Sequence, residues 1–265
     1  MSWRVGGQNM LRCASDAAIG DGDRLRFASF PLVPYSNRIG HATFAWNGRQ
    51  IILAPNFAPE PHAIHGTGWQ DAWEAERVWP DKIILRLSHK SDNRWPWAFD
   101  AEQVITVSPD GLRLELSAHN RSEEAAPLGM GHHPHFDSAG ASLAFEASRV
   151  WMSGDDNLPS YVVAPSGRLA FDRMGPVEGR NIDNCYADWT GRARIKWAER
   201  ENAMEIVSSM RAAVIYIPSG GDAFCFEPVP HINNALNMAG QEPAMPVIAP
   251  GEAYRSTIEF KAVAA

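Results

Sequence analysis

Three histidines fall within four residues of the segment Gly129-Met130-Gly131-His132-His133-Pro134-His135-Phe136. In an extended chain neighbouring side chains alternate sides, so His133 and His135 share one face and His132 takes the other. A His-x-His pair on a strand is a common ligand arrangement for a transition metal, with His65, Glu227 or His231 as further donors on paper. Imidazole also titrates close to neutral pH, which suits it to moving protons. Pro134 stiffens the pair, and no glutamate follows at the spacing that metal-binding β-barrels use. Polar packing inside a core is the third reading, and spacing alone leaves all three open.

Other residues supply complementary chemistry. Glu227 ends the apolar run Ala223-Phe224-Cys225-Phe226 and is followed at once by Pro228. A carboxylate so placed is partly desolvated, which raises its pKa and makes it a better base near neutral pH. The plain alternative is a strand-end ion pair with an arginine. Arg38 closes the segment Pro31 to Arg38 (PLVPYSNR), directly after Asn37, and offers a planar fork of donors to hydroxyl or carboxylate groups. A solvated loop arginine competes with that reading. His65 stands among small residues in the segment His62 to Trp69 (HAIHGTGW), where a ligand can approach the backbone. Trp69 can stack on a sugar face or serve as core. Asp183 lies among polar turn formers, where an Asx turn is the competing role. A base, acids, an arginine and hydroxyl-binding groups are present, with no nucleophile motif and no phosphate-binding loop.

The elements that must position these groups read as strands. Leu112, Leu114 and Leu116 alternate with Arg113, Glu115 and Ser117, the pattern of a half-buried strand. Similar runs span Arg24 to Phe27, Lys82 to Leu87, Val104 to Val107, Ala203 to Val207, Ala213 to Ile217 and Thr257 to Phe260. Turn signals separate them, among them Asn47-Gly48, Pro165-Ser166-Gly167 and Ser219-Gly220-Gly221-Asp222. Pro109-Asp110-Gly111, between two alternating runs, is a hairpin signal. The best helical candidates are short, Trp197 to Asn202 and Ile232 to Met238. Many short strands with frequent turns indicate an all-β sandwich or barrel, and no linker divides residues 1–265, so one domain is expected.

Composition narrows the partners. A net charge of −7 repels phosphate backbones and anionic lipid, which argues against nucleic acid and membrane. Ten tryptophans and eleven phenylalanines suit a concave site that stacks on flat ligand faces. Cys13, Cys185 and Cys225 are odd in number and far apart, which predicts free thiols rather than a disulfide framework. The first residues lack the apolar core of a signal peptide and no 18-residue apolar run occurs, so a cytoplasmic protein is expected. The sequon at Asn120-Arg121-Ser122 carries no weight in that setting.

Taken in order, the segments PLVPYSNRI, HAIHGTGW, GHHPHF, DNCY, and FEP with a downstream NALN resemble the aldose 1-epimerase (galactose mutarotase) family. The resemblance runs from about residue 25 to the C terminus, and five motifs in order are more specific than any one. It implies a large antiparallel β-sandwich that binds a free aldose in a concave cleft and interconverts its anomers without cofactor or metal. By motif position it makes Glu227 the general base and His133 the general acid. It makes Arg38, His65 and Asp183 sugar-binding residues, with Asn37, Trp69 and His135 beside them. Mutarotation removes the anomeric hydroxyl proton and protonates the ring oxygen, which a raised-pKa glutamate and a histidine near pH 7 can do.

Three departures stand out. His135 replaces a tyrosine of the family's usual HPYF. The stretch after Glu227, PVPHINNALN, is an altered form of the usual tail. Relatives also carry a strand or two before the segment matching Met10-Leu11-Arg12, which implies a shortened edge or a truncated start. An exposed edge would favour self-association, so a monomer or a homodimer is expected. No cluster of Lys and Arg marks a phosphate subsite. Two alternatives are kept: a non-catalytic carbohydrate-binding protein of the same fold, and a metal-dependent β-barrel enzyme using His133 and His135.

Overall fold

A computed structural model of the chain describes residues 3–109 and 111–265. Two antiparallel sheets face each other. The larger has nine strands in the order Gly175–Pro176, Ala141–Phe145, Arg192–Trp197, Asn202–Ser208, Ala253–Ala264, Gly111–Asn120, Phe99–Ser108, Lys82–His89 and Glu74–Val78. The smaller has six, in the order His135–Asp137, Ala223–Val229, Ala212–Ile217, Ile182–Ala187, Arg149–Ser153 and Pro159–Val163. The all-β architecture anticipated from the alternating pattern, and the sandwich implied by the resemblance, are the fold of the molecule.

Alternation explains the layering. Leu112 and Leu114 are buried on one face of their strand while Arg113 is exposed on the other. They meet Ile258 and Phe260 of the same sheet and Phe224, Phe226, Ile215 and Tyr186 of the smaller sheet in one apolar cluster. Burying an aromatic or branched aliphatic side chain contributes roughly 1.5–3 kcal/mol, so this layer holds the sheets together. The hairpin expected at residues 109–111 forms, with Ser108 paired to Gly111; its Asp110 lies outside the described residues. A second cluster, built around Tyr35, Phe44, Trp95 and Trp97, lies under the Pro-rich segment that follows Pro31.

Three expectations need correction. Arg24 to Phe27 is not a strand: Arg24–Arg26 forms a 3-10 turn. Arg24, Leu25 and Arg26 are exposed, Phe27 is half-buried, and Arg12 ties the carbonyls of Leu25 and Phe27, so alternation there reflects no sheet face. Trp197 to Asn202 is not helical but the turn joining Arg192–Trp197 to Asn202–Ser208. Only Ala235–Asn237 of the second helical candidate closes a 3-10 turn, whereas the five-residue helix Asp16–Gly20, capped by Ser15, had no signal in the apolar periodicity. The sheet edge at His135–Asp137 is not bare: the Arg12 N–H donates to the His135 carbonyl and the His135 N–H donates to Ala28. The sequon asparagine, Asn120, is buried and donates to the carbonyls of Glu124 and Ile248. No helix among the described residues is long and apolar enough to cross a membrane.

Candidate active site

The smaller sheet has two faces, and its strand Ala223–Val229 contributes to both. Phe224 and Phe226 enter the core between the sheets. Cys225 and Glu227, one residue out of phase, take the opposite face. The strand register extends that face sideways. His135 pairs with Cys225, Cys225 with Tyr216, and Tyr216 with Asp183, so these four residues form a row across four strands. Glu227 begins a second row with Val214 and Cys185.

The segment that begins at Pro31 folds over this face and delivers the remaining groups. Arg38–Ile39 pairs with Ala63–Ile64. Asn37 and His65 both adopt left-handed backbone conformations, φ 57° and 60°, a strained geometry that surrounding contacts must hold. They hold each other: the His65 N–H donates to the Asn37 carbonyl at 2.9 Å, and the Asn37 N–H donates to Nδ1 of His65 at 3.1 Å. Gly66 follows with φ 70°, and a Cβ there would stand 2.3 Å from the Val33 carbonyl oxygen, so only glycine fits. Because Nδ1 of His65 accepts, the neutral ring carries its proton on Nε2. The altered tail has a matching task. Asn234 accepts the Gly40 N–H at 2.8 Å through its side chain and donates its own N–H to the Arg38 carbonyl at 2.9 Å.

At the centre, Nε2 of His133 lies 3.3 Å from Oε1 of Glu227, and both side chains are almost wholly enclosed. Burial drives the Glu227 pKa well above the ordinary carboxylate range; the Asp183 charge adds to the rise and Arg38 offsets part of it. The arginine partner of the alternative reading is absent from Glu227 among the described residues; its charged-group neighbour is His133. Burial lowers His133 to about 3, which corrects the expectation of a histidine titrating near pH 7. Oε2 of Glu227 and Nδ1 of His133 are buried without a hydrogen-bond partner among the described residues, as polar groups at functional sites often are. The His65 ring stands edge-on to His133 with centroids 5.3 Å apart, and burial, then the neighbouring His133, hold its pKa well below the usual value.

Arg38 reaches Asp183 at 3.7 Å and Glu60 at 2.7 Å. Asp183 is a strand residue, not a turn former. Burial raises its pKa while Arg38 pulls it down. Trp69 packs behind His65, edge-on at 6.1 Å and only 7% exposed, and donates its indole N–H to the Ile64 carbonyl. His135 stacks on His133 with centroids 4.7 Å apart and planes at 22°, as the shared face required. His132 is buried too, and it is not among the clustered donors of His133, His135 and Cys225. His231 is not a ligand candidate: its Nδ1 donates to the Ile232 carbonyl at 2.8 Å, leaving Nε2 to accept the Ser36 N–H. A Cβ on Gly129 would stand 2.3 Å from that ring, which explains the first glycine of the histidine segment.

The sequence reading missed three participants. Glu60 anchors Arg38 and sits two residues before His62, a proximity that carried a usable signal. Tyr216, 42% exposed between Cys225 and Asp183, is visible only through strand register. Phe30 lies against His133 with centroids 4.5 Å apart.

Comparison with known proteins bears on the family and the fold. The Escherichia coli K12 protein YphB, itself uncharacterized, is 28% identical over 243 residues, covering 88% of this chain and 82% of the relative. Galactose mutarotase of Homo sapiens is 23% identical over 266 residues, 85% of this chain and 76% of the relative. Among solved structures, a putative aldose 1-epimerase of Escherichia coli K12 superposes with a TM-score of 0.89 at 26% identity, covering 99% of this chain and 91% of the other. A galactose 1-epimerase from Lactobacillus acidophilus NCFM shares the fold, with a TM-score of 0.76 at 14% identity over 98% of this chain and 86% of the other. The sequence profile described as aldose 1-epimerase matches residues 1–261, and with it the chain belongs to the aldose 1-epimerase family.

Proposed function

We propose that this protein interconverts the α and β anomers of a free aldose, with Glu227 and His133 as its acid–base pair. The observation that carries the reading is the enclosed contact of 3.3 Å between Oε1 of Glu227 and Nε2 of His133. Burial penalises charge on either partner, which favours one proton shared by the pair as a unit. Moving that proton within the pair gives a carboxylate beside an imidazolium without changing the net charge.

In that form Glu227 takes the proton of the anomeric hydroxyl while His133 gives its proton to the ring oxygen. The C1–O5 bond breaks as the C1–O1 bond becomes a carbonyl. Rotation about C1–C2 turns the other face of the aldehyde to O5, and closure returns each proton to its donor. Only protons move, so the reaction balances without a cofactor. His65 directs its Nε2–H toward the ring oxygen as a second donor. Arg38 and Asp183 hold ring hydroxyls by charge-assisted hydrogen bonds, Glu60 and Asn37 hold Arg38 and His65 in place, and Tyr216 forms part of the floor. Trp69 backs His65, and His135 lines the cleft beside the acid. The free cysteines, two of them buried, support a reducing, cytoplasmic setting.

One-dimensional exchange NMR on a panel of free sugars tests the reading. Galactose comes first, because the human relative carries its name; glucose, pentoses and hexose 6-phosphates follow. The expected result is catalysed anomer exchange of at least one unphosphorylated aldose. Saturable sugar binding with no acceleration on any sugar would instead make the chain a carbohydrate-binding protein.

A further inference from the structure

Cys225 takes no part in the proton transfers above, yet it lies inside the site. It pairs with His135 across the sheet, and one donor atom from each of His133, His135 and Cys225 lies within 4.8 Å of the other two. His135 is 7% and Cys225 1% exposed. Nδ1 of His133 and Nδ1 of His135 are both buried without a hydrogen-bond partner among the described residues. A histidine that binds metal through one nitrogen ordinarily gives its other N–H to a carboxylate. His133 already has a carboxylate beside its other nitrogen, with Nε2 3.3 Å from Oε1 of Glu227.

We propose that Nδ1 of His133, Nδ1 of His135 and Sγ of Cys225 form a binding site for Zn2+ whose occupation withdraws His133 from proton transfer and turns the cleft off. Two imidazoles and a thiolate suit a borderline-soft ion, whereas Mg2+ and Ca2+ require oxygen donors. Zinc bonds to nitrogen and sulfur of about 2.0–2.3 Å place tetrahedral donors roughly 3.3–3.8 Å apart. Side-chain rotations at His135 and Cys225 close the difference. On binding, the S–H bond of Cys225 breaks, its proton leaves to solvent and the thiolate joins the metal, with no change of oxidation state. Arg12, which acts electrostatically on all three residues, opposes the incoming charge; the thiolate and Glu227 offset it.

The site itself does not depend on the proposed reaction, but its inhibitory effect does, and the test separates the two. Cobalt(II) titrated into the full chain is expected to give a thiolate-to-cobalt absorption band that saturates at one equivalent and is displaced by Zn2+. Cys13→Ser should keep the band, because Cys13 is exposed and is not among the three clustered donors. Cys225→Ala and His135→Tyr, each checked for folding by circular dichroism, should both lose it; where one fails to fold, the other decides. No band in the wild-type chain, loss of the band in Cys13→Ser, or survival in either folded variant would overturn the site. Saturating Zn2+ should also abolish anomer exchange, with recovery on adding a chelator. A wild-type chain that gives the band but accelerates no sugar leaves the metal site standing and removes the proposed reaction.

Discussion

Within the strand Ala223–Val229, residues one position apart belong to two different regions. Phe224 and Phe226 enter the layer between the sheets, where they join a large apolar cluster and geometry is set by packing. Cys225 and Glu227 enter the cleft face, equally buried, but beside His133, His135, Tyr216 and Asp183. Burial does opposite things on the two sides. In the core it stabilises, because only apolar surface leaves water. On the cleft face it removes water from ionisable groups, displaces their pKa values and leaves polar atoms unpaired, which costs stability and prepares chemistry. The rigid core layer is what allows the other face to hold that arrangement.

Acidification should act most strongly through the buried histidines of the cleft and its surroundings, and it carries the largest expected effect. His65, His132, His133, His135 and His231 all have pKa values lowered by burial. The unfolded chain therefore binds protons below about pH 6.5 that the folded chain refuses. Their contribution is intact above that pH and is lost as pH falls, by roughly 1.4 kcal/mol per pH unit for each histidine fully in that window. Glu227, with its pKa raised, acts in the opposite sense as pH rises above its unfolded value. Denaturant midpoints at pH 7 and pH 5 should differ by several kcal/mol in total; an unchanged midpoint would break the contrast.

Phe226→Ala acts on the core side. It should lower the unfolding free energy by about 3–5 kcal/mol, while anomer exchange per folded molecule stays near wild type. His133→Gln is its mirror image, with exchange falling about 10²–10³-fold and the denaturation midpoint little changed. Arg38→Ala sharpens the distinction within the cleft. Its effect should be smaller, about tenfold to a hundredfold in kcat/KM, read mainly as a rise in KM if the arginine holds hydroxyls equally in ground and transition states.

The two regions were also unequally legible. Core residues such as Leu112 and Leu114 announce themselves by period-two alternation, and the sheets follow. Glu227 was readable because an acid ends an apolar run, and the shared face of His133 and His135 follows from their spacing. Tyr216 was not, since its place beside Asp183 depends on strand pairing between distant segments. Glu60 could have been suspected from its place two residues before His62, but its pairing with Arg38 depends on a loop path that sequence does not reveal. Arg24 to Phe27 misled for a physical reason: alternation in a surface turn has no sheet to face. The altered tail became intelligible only when Asn234 was seen to clasp the backbone at Gly40 and Arg38.

The central claim is that a buried glutamate beside a buried histidine exchanges protons with the sugar. Glu227→Gln tests it most directly, because it keeps the shape and removes the ionisable group. Anomer exchange by NMR and the unfolding midpoint should be measured on the same sample. The account predicts an exchange rate lower by about 10²–10⁴-fold with the fold and its stability retained. A folded Glu227→Gln chain that exchanges anomers at the wild-type rate would contradict it.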